Sequence, residues 1–257
     1  MERYSVRPSD ERAAGMLAQA CGLGLSAAQI LLHRGIREPA EAEPFLDATL
    51  RGLTSPEPMA DRQLASDRIA RAIRAGERIV VFGDYDVDGT TSAVILSEVI
   101  SALGGEVRTL IADRFRGGYG LSDQALERCL AERPALLVTC DCGSSDHERI
   151  ATAMARGVDV IVVDHHLVPE ETLPASAFLN PHRPECGFAY KGLCSAGLAF
   201  SLGAALRAEM GANLDLRGWL DLVAIGTIAD LAPLTDDNRR LVRAGLRSLG
   251  AAKVRPA

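Results

Sequence analysis

The sequence predicts an α/β fold: a mostly parallel five-stranded sheet flanked by helices, preceded by an N-terminal helical extension. Three observations carry this expectation. From Arg78 onward, short β-branched apolar runs alternate with segments of helical period, the rhythm of βαβ units. Three of those runs end directly in polar clusters, as the carboxyl edge of a parallel sheet demands of a functional protein. Before residue 61, apolar positions recur only at helical spacing. The domain expectation is therefore an extension over 1–60 and a catalytic domain over 61–257.

Taken in order, Ala13–Ala20 and Ala27–Leu32 read as short helices broken at Leu23-Gly24 and Gly35. Pro39, Pro44, Pro56 and Pro58 punctuate the next segment and leave Phe45 and Leu46 as an anchor. The G-L-G-L-S-A at Gly22 is preceded by no strand, so it is no dinucleotide fingerprint. Asp61–Ala75 is an amphipathic helix. Strands are expected at Ile79–Phe82, Val107–Ile111, Ala135–Cys140, Asp159–Val163 and Ala175–Leu179. Helices are expected at Thr91–Leu103, Ser122–Arg133 and Asp146–Arg156, with a further apolar helix at Trp219–Ile228.

Composition narrows the class. The chain has 257 residues, 47% hydrophobic and 24% charged, as in an ordinary globular protein. No run approaches the roughly 18 apolar residues of a membrane span, and Met1–Asp10 has no signal core. Six cysteines without a C-x-x-C pair point to reduced thiols, and the expected setting is cytoplasmic. A net charge of −6 argues against wrapping nucleic acid by bulk electrostatics, but not against a nucleic-acid enzyme.

The chemistry gathers at the strand ends. Asp84, Asp86 and Asp88 come after the first strand, Asp141 after the third, and Asp164-His165-His166 after the fourth; Asp230 ends the apolar helix. Crowded carboxylates with imidazole are the hard, mixed oxygen and nitrogen donor set of a two-metal hydrolase using Mn²⁺ or Mg²⁺. A calcium loop starting at Asp84 fails, because its twelfth position is Ile95 and a strand precedes it. The strand-D-x-D-G-T pattern of dehalogenase-type phosphatases, with Asp86 as nucleophile, leaves Asp164-His165-His166 unexplained. Arg114, Arg116 and Tyr119 in a glycine-rich loop suit phosphate contact and base stacking. Thr90, Thr91 and Ser195, at helix starts, are further candidate phosphate contacts, and His182 and Arg183 weaker ones.

The motifs D-Y-D-V-D-G, D-C-G, D-H-H and G-T-I-A-D, in this order, resemble those of the DHH phosphoesterase superfamily. Supporting stretches are R-F-R-G-G-Y-G-L at Arg114, L-N-P-H-R-P at Leu179 and N-R-R-L-V-R-A-G-L at Asn238. They are similar to its RecJ-type branch of single-strand-specific 5′→3′ exonucleases. The resemblance implies one divalent cation on Asp86 and Asp141, and a second on Asp88, Asp141, His165 and Asp230, with Asp141 bridging. It implies that Asp84 and Asp164 support these ligands or add to them, and that His166 reaches the scissile phosphate or leaving group, with Asp141, His165 and His166 forming the catalytic set. Phe82 stands where many relatives carry a histidine ligand, which puts more weight on Asp84. It further implies single-stranded DNA as substrate in repair and recombination, a single-strand-binding protein or helicase as partner, no membrane, and a monomer. The C-terminal DHH-associated domain of such enzymes is expected to be absent. The alternatives are a phosphodiesterase acting on short oligonucleotides or cyclic dinucleotides, and a non-catalytic nucleic-acid-binding scaffold.

Overall fold

The computed structural model describes residues 5–115 and 117–251. The chain forms two compact units, one up to Gly52 and one from Leu53 onward.

The first unit holds α1 (Glu11–Cys21), α2 (Leu25–His33) and α3 (Pro39–Leu46). Asp10 caps α1 by accepting from the Ala13 amide, and Gly22 ends it in the left-handed region, where a Cβ is costly. Leu17, Ala28, Leu31, Leu32 and Ala42 form its core, with Phe45 and Leu46 packed against it as the sequence suggests. α3 arises although two prolines punctuate it. Pro39 sits in the first turn, where no amide partner is lost, and a capping box at Glu38 and Glu41 holds the start.

The second unit is a three-layer α/β structure. Its sheet contains β1 (Arg78–Gly83), β2 (Glu106–Ile111), β3 (Leu136–Cys140), β4 (Asp159–Val163) and β5 (Ala177–Leu179). All pairs are parallel, in the order β2-β1-β3-β4-β5. β3 is buried at every position and β4 at all but its first, so the central strands read as continuous apolar runs rather than alternating ones. α4 (Arg62–Ala75), α5 (Val87–Ala102), α6 (Asp123–Ala131) and α7 (His147–Ala155) precede or connect the strands. α8 (Ser195–Glu209), α9 (Leu220–Ala229) and α10 (Asp236–Ala251) complete the unit. Val80, Phe82, Leu137, Val160 and Val162 pack on one face of the sheet with Leu126, Cys129 and Ile150 of α6 and α7.

The five expected strands are present, β5 being shorter than its apolar run. α5 starts four residues earlier than its apolar spacing suggests, at Val87 instead of Thr91. Gly89 does not break the chain there. It lies in the first turn of α5, where a Cβ would come within 2.6–2.8 Å of the Asp84 backbone. Among the described residues, no single helix is long and apolar enough to cross a membrane.

Candidate metal centre

The carboxyl ends of β1, β3 and β4 bring Asp84, Asp141 and Asp164 side by side. In register, Gly83 pairs with Cys140 and Cys140 with Val163, so each aspartate is the first residue past its strand. The Asp84 amide donates to Cys140 O, and the Asp141 amide to Val163 O, extending the ladder by one step. Asp141 then turns the chain with φ of 63°, in the left-handed region that aspartate tolerates better than most residues.

Asp86 is the N-cap of α5, its Oδ1 accepting from the Gly89 amide at 2.9 Å, while Asp88 sits in the first turn and faces inward, 1% exposed. Asp88 is held from the opposite side by the start of α8. The Ser195 and Ala196 amides donate to Asp88 Oδ2 at 2.7 Å and Oδ1 at 2.9 Å. Two orphan helix-end donors thus offset a buried charge, reinforced by the helix dipole. The Ser195 hydroxyl donates to Asp141 Oδ1 at 3.0 Å. α9 delivers Asp230 at its C-terminal cap. α9 reaches this position because Gly226 lets it approach closely: a Cβ there would lie 2.5 Å from Thr91 Oγ1, 2.8 Å from Ala196 Cβ and 2.9 Å from Asp88 Oδ1.

Metal-donor atoms within 4.8 Å of one another form three overlapping groups: Asp84, Asp86 and Asp141; Asp88, His165 and Asp230; and Asp141, His165 and His166. His165 Nε2 lies 3.2 Å from Asp141 Oδ1 and 3.8 Å from both Asp88 Oδ2 and Asp230 Oδ1. The nitrogen is buried, yet it is not aligned for a hydrogen bond to any of them. Asp84 Oδ2 is likewise buried without a partner, while its Oδ1 accepts from the Gly120 amide at 3.0 Å. Burial, followed by neighbouring carboxylates, raises the Asp141 pKa. Burial is also the leading cause of the raised pKa values of Asp84 and Asp230. Such a cluster is electrostatically incomplete without cations.

Asp164 organises the histidine pair. Its Oδ1 accepts from the His165 amide, the His166 amide and His166 Nδ1 at 2.8, 3.2 and 2.7 Å, and its Oδ2 from the Ser144 amide at 3.0 Å. The hydrogen bond that His166 donates to Asp164 lifts the His166 pKa to about 9. Burial pushes Asp164 upward, but His166 and Ser144 hold it down, at about 2. His166 Nε2 faces Tyr119 Oη at 3.1 Å, and Tyr119 stands edge-on to both His166 and Tyr85. Because the folded state raises the His166 pKa, the imidazolium's stabilising contribution is complete below about pH 6.5. It is lost as pH rises through about 9. An NMR titration of metal-free protein should place His166 near that upper value, with Asp164→Asn returning it toward the ordinary histidine range. A His166 that titrates normally in the unsubstituted chain would sink this assignment.

Several expected phosphate contacts have other tasks. Ser195 is fully buried, and both its amide and its hydroxyl serve carboxylates. Thr91 is buried, with Oγ1 donating to Val87 O and Asp88 O. At the start of α5 the Gly89 amide donates to Asp86 Oδ1 and the Thr90 amide to Asp86 O, while Thr90 itself is part-exposed. The apolar spacing of these segments shows where a helix begins but not which carboxylate will take its amides. Arg183 is tied to Asp61, Glu185 and the Phe178 carbonyl. Arg114 is exposed, its guanidinium 5.7 Å from the Tyr85 ring centre, and Tyr119 is half exposed at the same rim. Arg116 lies outside the described residues.

The sequence reading missed Asn180. It is fully buried, donating to the His166 carbonyl at 2.8 Å and to Ser144 Oγ at 3.2 Å, and accepting from the His182 amide at 2.8 Å. Its sequence signals are its place directly after an apolar strand, beside Pro181, and within the L-N-P-H-R-P stretch.

The model of the DHH family, N-terminal domain, matches residues 78–227. The single-stranded-DNA-specific exonuclease RecJ of Dickeya dadantii is 39% identical over 244 residues, 89% of this chain and 41% of that protein. RecJ of Bacillus subtilis is 36% identical over 96% of this chain and 31% of that protein. The crystal structure of Thermus thermophilus RecJ in complex with Mn²⁺ superposes with a TM-score of 0.76 at 33% identity, over 97% of this chain and 35% of that one. The chain therefore spans less than half the length of these relatives. With the family model matching more than half of the residues, and its aspartate motifs meeting at one sheet edge, the chain belongs to the DHH family.

Proposed function

We propose that this chain is the catalytic part of a two-metal phosphodiesterase that hydrolyses single-stranded DNA from its 5′ end. The observation that carries the reading is the pair of buried, unpartnered donor atoms, Asp84 Oδ2 and His165 Nε2, set among carboxylates that Asp141 links into one cluster. Hard oxygens with one imidazole fit Mn²⁺ or Mg²⁺. Asp84, Asp86 and Asp141 would hold one ion; Asp88, Asp141, His165 and Asp230 the other. When bound, such ions make water nucleophilic near neutral pH and stabilise charge building up on the phosphoryl oxygens. The protein's own groups do the rest. Asp164 and Ser144 fix the histidine turn, so that His166, its Nδ1 held by Asp164, can give a proton to the departing oxygen. Ser195 and the start of α8 orient Asp88 and Asp141. Arg114 and Tyr119 stand at the rim, where a strand end would arrive.

RecJ relatives that share 36–39% identity over most of this chain support single-stranded DNA over cyclic dinucleotides. The wider setting we propose is DNA repair or recombination in the cytoplasm, with the protein acting as a monomer alongside a single-strand-binding protein or helicase. The test uses 5′- and 3′-labelled single strands with Mn²⁺, Mg²⁺ or EDTA. Early release of the 5′ label as a mononucleotide, with the 3′ label kept on a shrinking strand and no reaction in EDTA, is expected. Cleavage from the 3′ end, or of cyclic dinucleotides alone, would overturn the proposal.

A further inference from the structure

Next to the metal centre lies a cleft of about 360 Å³ that shares His165 and Asp230 with it. Its lining combines His182 and Lys191 with the apolar Leu231, Ala232 and Pro233. Lysine is scarce in this chain, occurring only at 191 and 253. Lys191 Nζ donates to the Cys186 carbonyl at 2.8 Å, which fixes its stem and leaves two ammonium donors for another acceptor. Asn238 Nδ2 holds the Gly192 carbonyl at 2.5 Å, pinning the residue after Lys191. His182 is anchored through its backbone amide to Asn180, which also holds the His166 carbonyl. His182 is therefore placed by the residue that positions the histidine turn.

Leu231 is the unusual member. It adopts φ of 58°, the left-handed conformation in which a helix normally ends on glycine or asparagine. The Ala232 amide reaching back to Thr227 O at 3.2 Å completes such a helix end. A leucine in this conformation is disfavoured, and burial does not compensate it, because its surface is 88% exposed. A strained, exposed apolar residue directly after a metal-ligand candidate points to a contact outside the chain.

We propose that this cleft is a nucleotide subsite, taking the unit of the strand next to the scissile phosphate on the Asp230 side. His182 and Lys191 receive that unit's phosphate, and Leu231 packs on its sugar or base. The assignment rests on the phosphodiesterase reading and extends it to the substrate's neighbouring residue.

Two kinds of variant test it in the full chain. Leu231→Gly should raise the melting temperature, by removing left-handed strain, and yet weaken strand binding about three- to tenfold. A purely structural role predicts no loss of binding. His182→Gln with Lys191→Gln should raise KM about tenfold with kcat nearly unchanged. Replacing single phosphates of the strand by uncharged methylphosphonates should find one linkage beside the scissile one whose neutralisation weakens wild-type binding. That penalty should disappear in the double variant, the signature of two groups that interact. A penalty that persists in the double variant overturns the subsite. So does weakened inhibition by nucleoside monophosphate with an unchanged methylphosphonate cost, because the cleft would then hold released product. Binding is read by fluorescence anisotropy with Ca²⁺ as the probe cation, so a chain that binds strands but cleaves none fails the functional reading without deciding this one.

Discussion

Asp141→Asn should leave the fold intact while lowering turnover roughly a thousandfold or more. Asparagine is nearly isosteric and shares aspartate's tolerance of the left-handed backbone held at this position. It can still accept the Ser195 hydroxyl. What disappears is the charge that the two proposed ion sites would share. Mn²⁺ titration followed by calorimetry or electron paramagnetic resonance should show both sites weakened, by about a hundredfold for a linking ligand. In EDTA the variant should melt no lower than the parent, since one of several mutually repelling carboxylates is gone and Asp141 is buried. Two sites of unchanged affinity would refute Asp141 as the shared ligand.

Gly226→Ala should be among the most damaging single-methyl changes in the second unit. The added carbon would stand 2.5–2.9 Å from Thr91 Oγ1, Ala196 Cβ and Asp88 Oδ1, three contacts from two other helices. Helix α9 must move away, and overpacking of this kind costs about 1–3 kcal/mol. The shift also carries Asp230 away from His165 and disturbs Asp88, which normally sits under the α8 amides. Urea unfolding in EDTA should show the stability loss, and Mn²⁺ titration should show selective weakening of the site formed by Asp88, His165 and Asp230. A variant with unchanged stability and unchanged metal binding would mean that the helices relax without consequence.

These two positions mark how far the sequence could be read. The sheet was legible because its strands are short β-branched runs ended by polar residues, and parallel strands must place such ends along one edge. The ligand candidates Asp84, Asp86, Asp88, Asp141, His165 and Asp230 could be found because each is a polar residue next to apolar structure. Less legible was the direction of hydrogen bonds. Ser195 and Thr91 look like anion binders at helix starts, but Ser195 serves the protein's own carboxylates and Thr91 its own helix, and that depends on how α5 and α8 face each other. Gly226 and Asn180 carry no periodic signal at all. One is defined by a close approach of helices, the other by three partners distant in the chain or on a neighbouring turn.

The left-handed turn at Asp141 also bears on how a protein of this shape can change over time. Most side chains would strain that backbone, so the readily accepted replacements are asparagine and glycine. Neither carries a charge. On the proposed two-ion reading, the easiest drift at Asp141 therefore ends in a well-folded chain that would lose its ions but keep Arg114, Tyr119, His182 and Lys191. A hydrolase of the proposed kind, built on this turn, would lie one substitution from a strand-binding protein that no longer cuts.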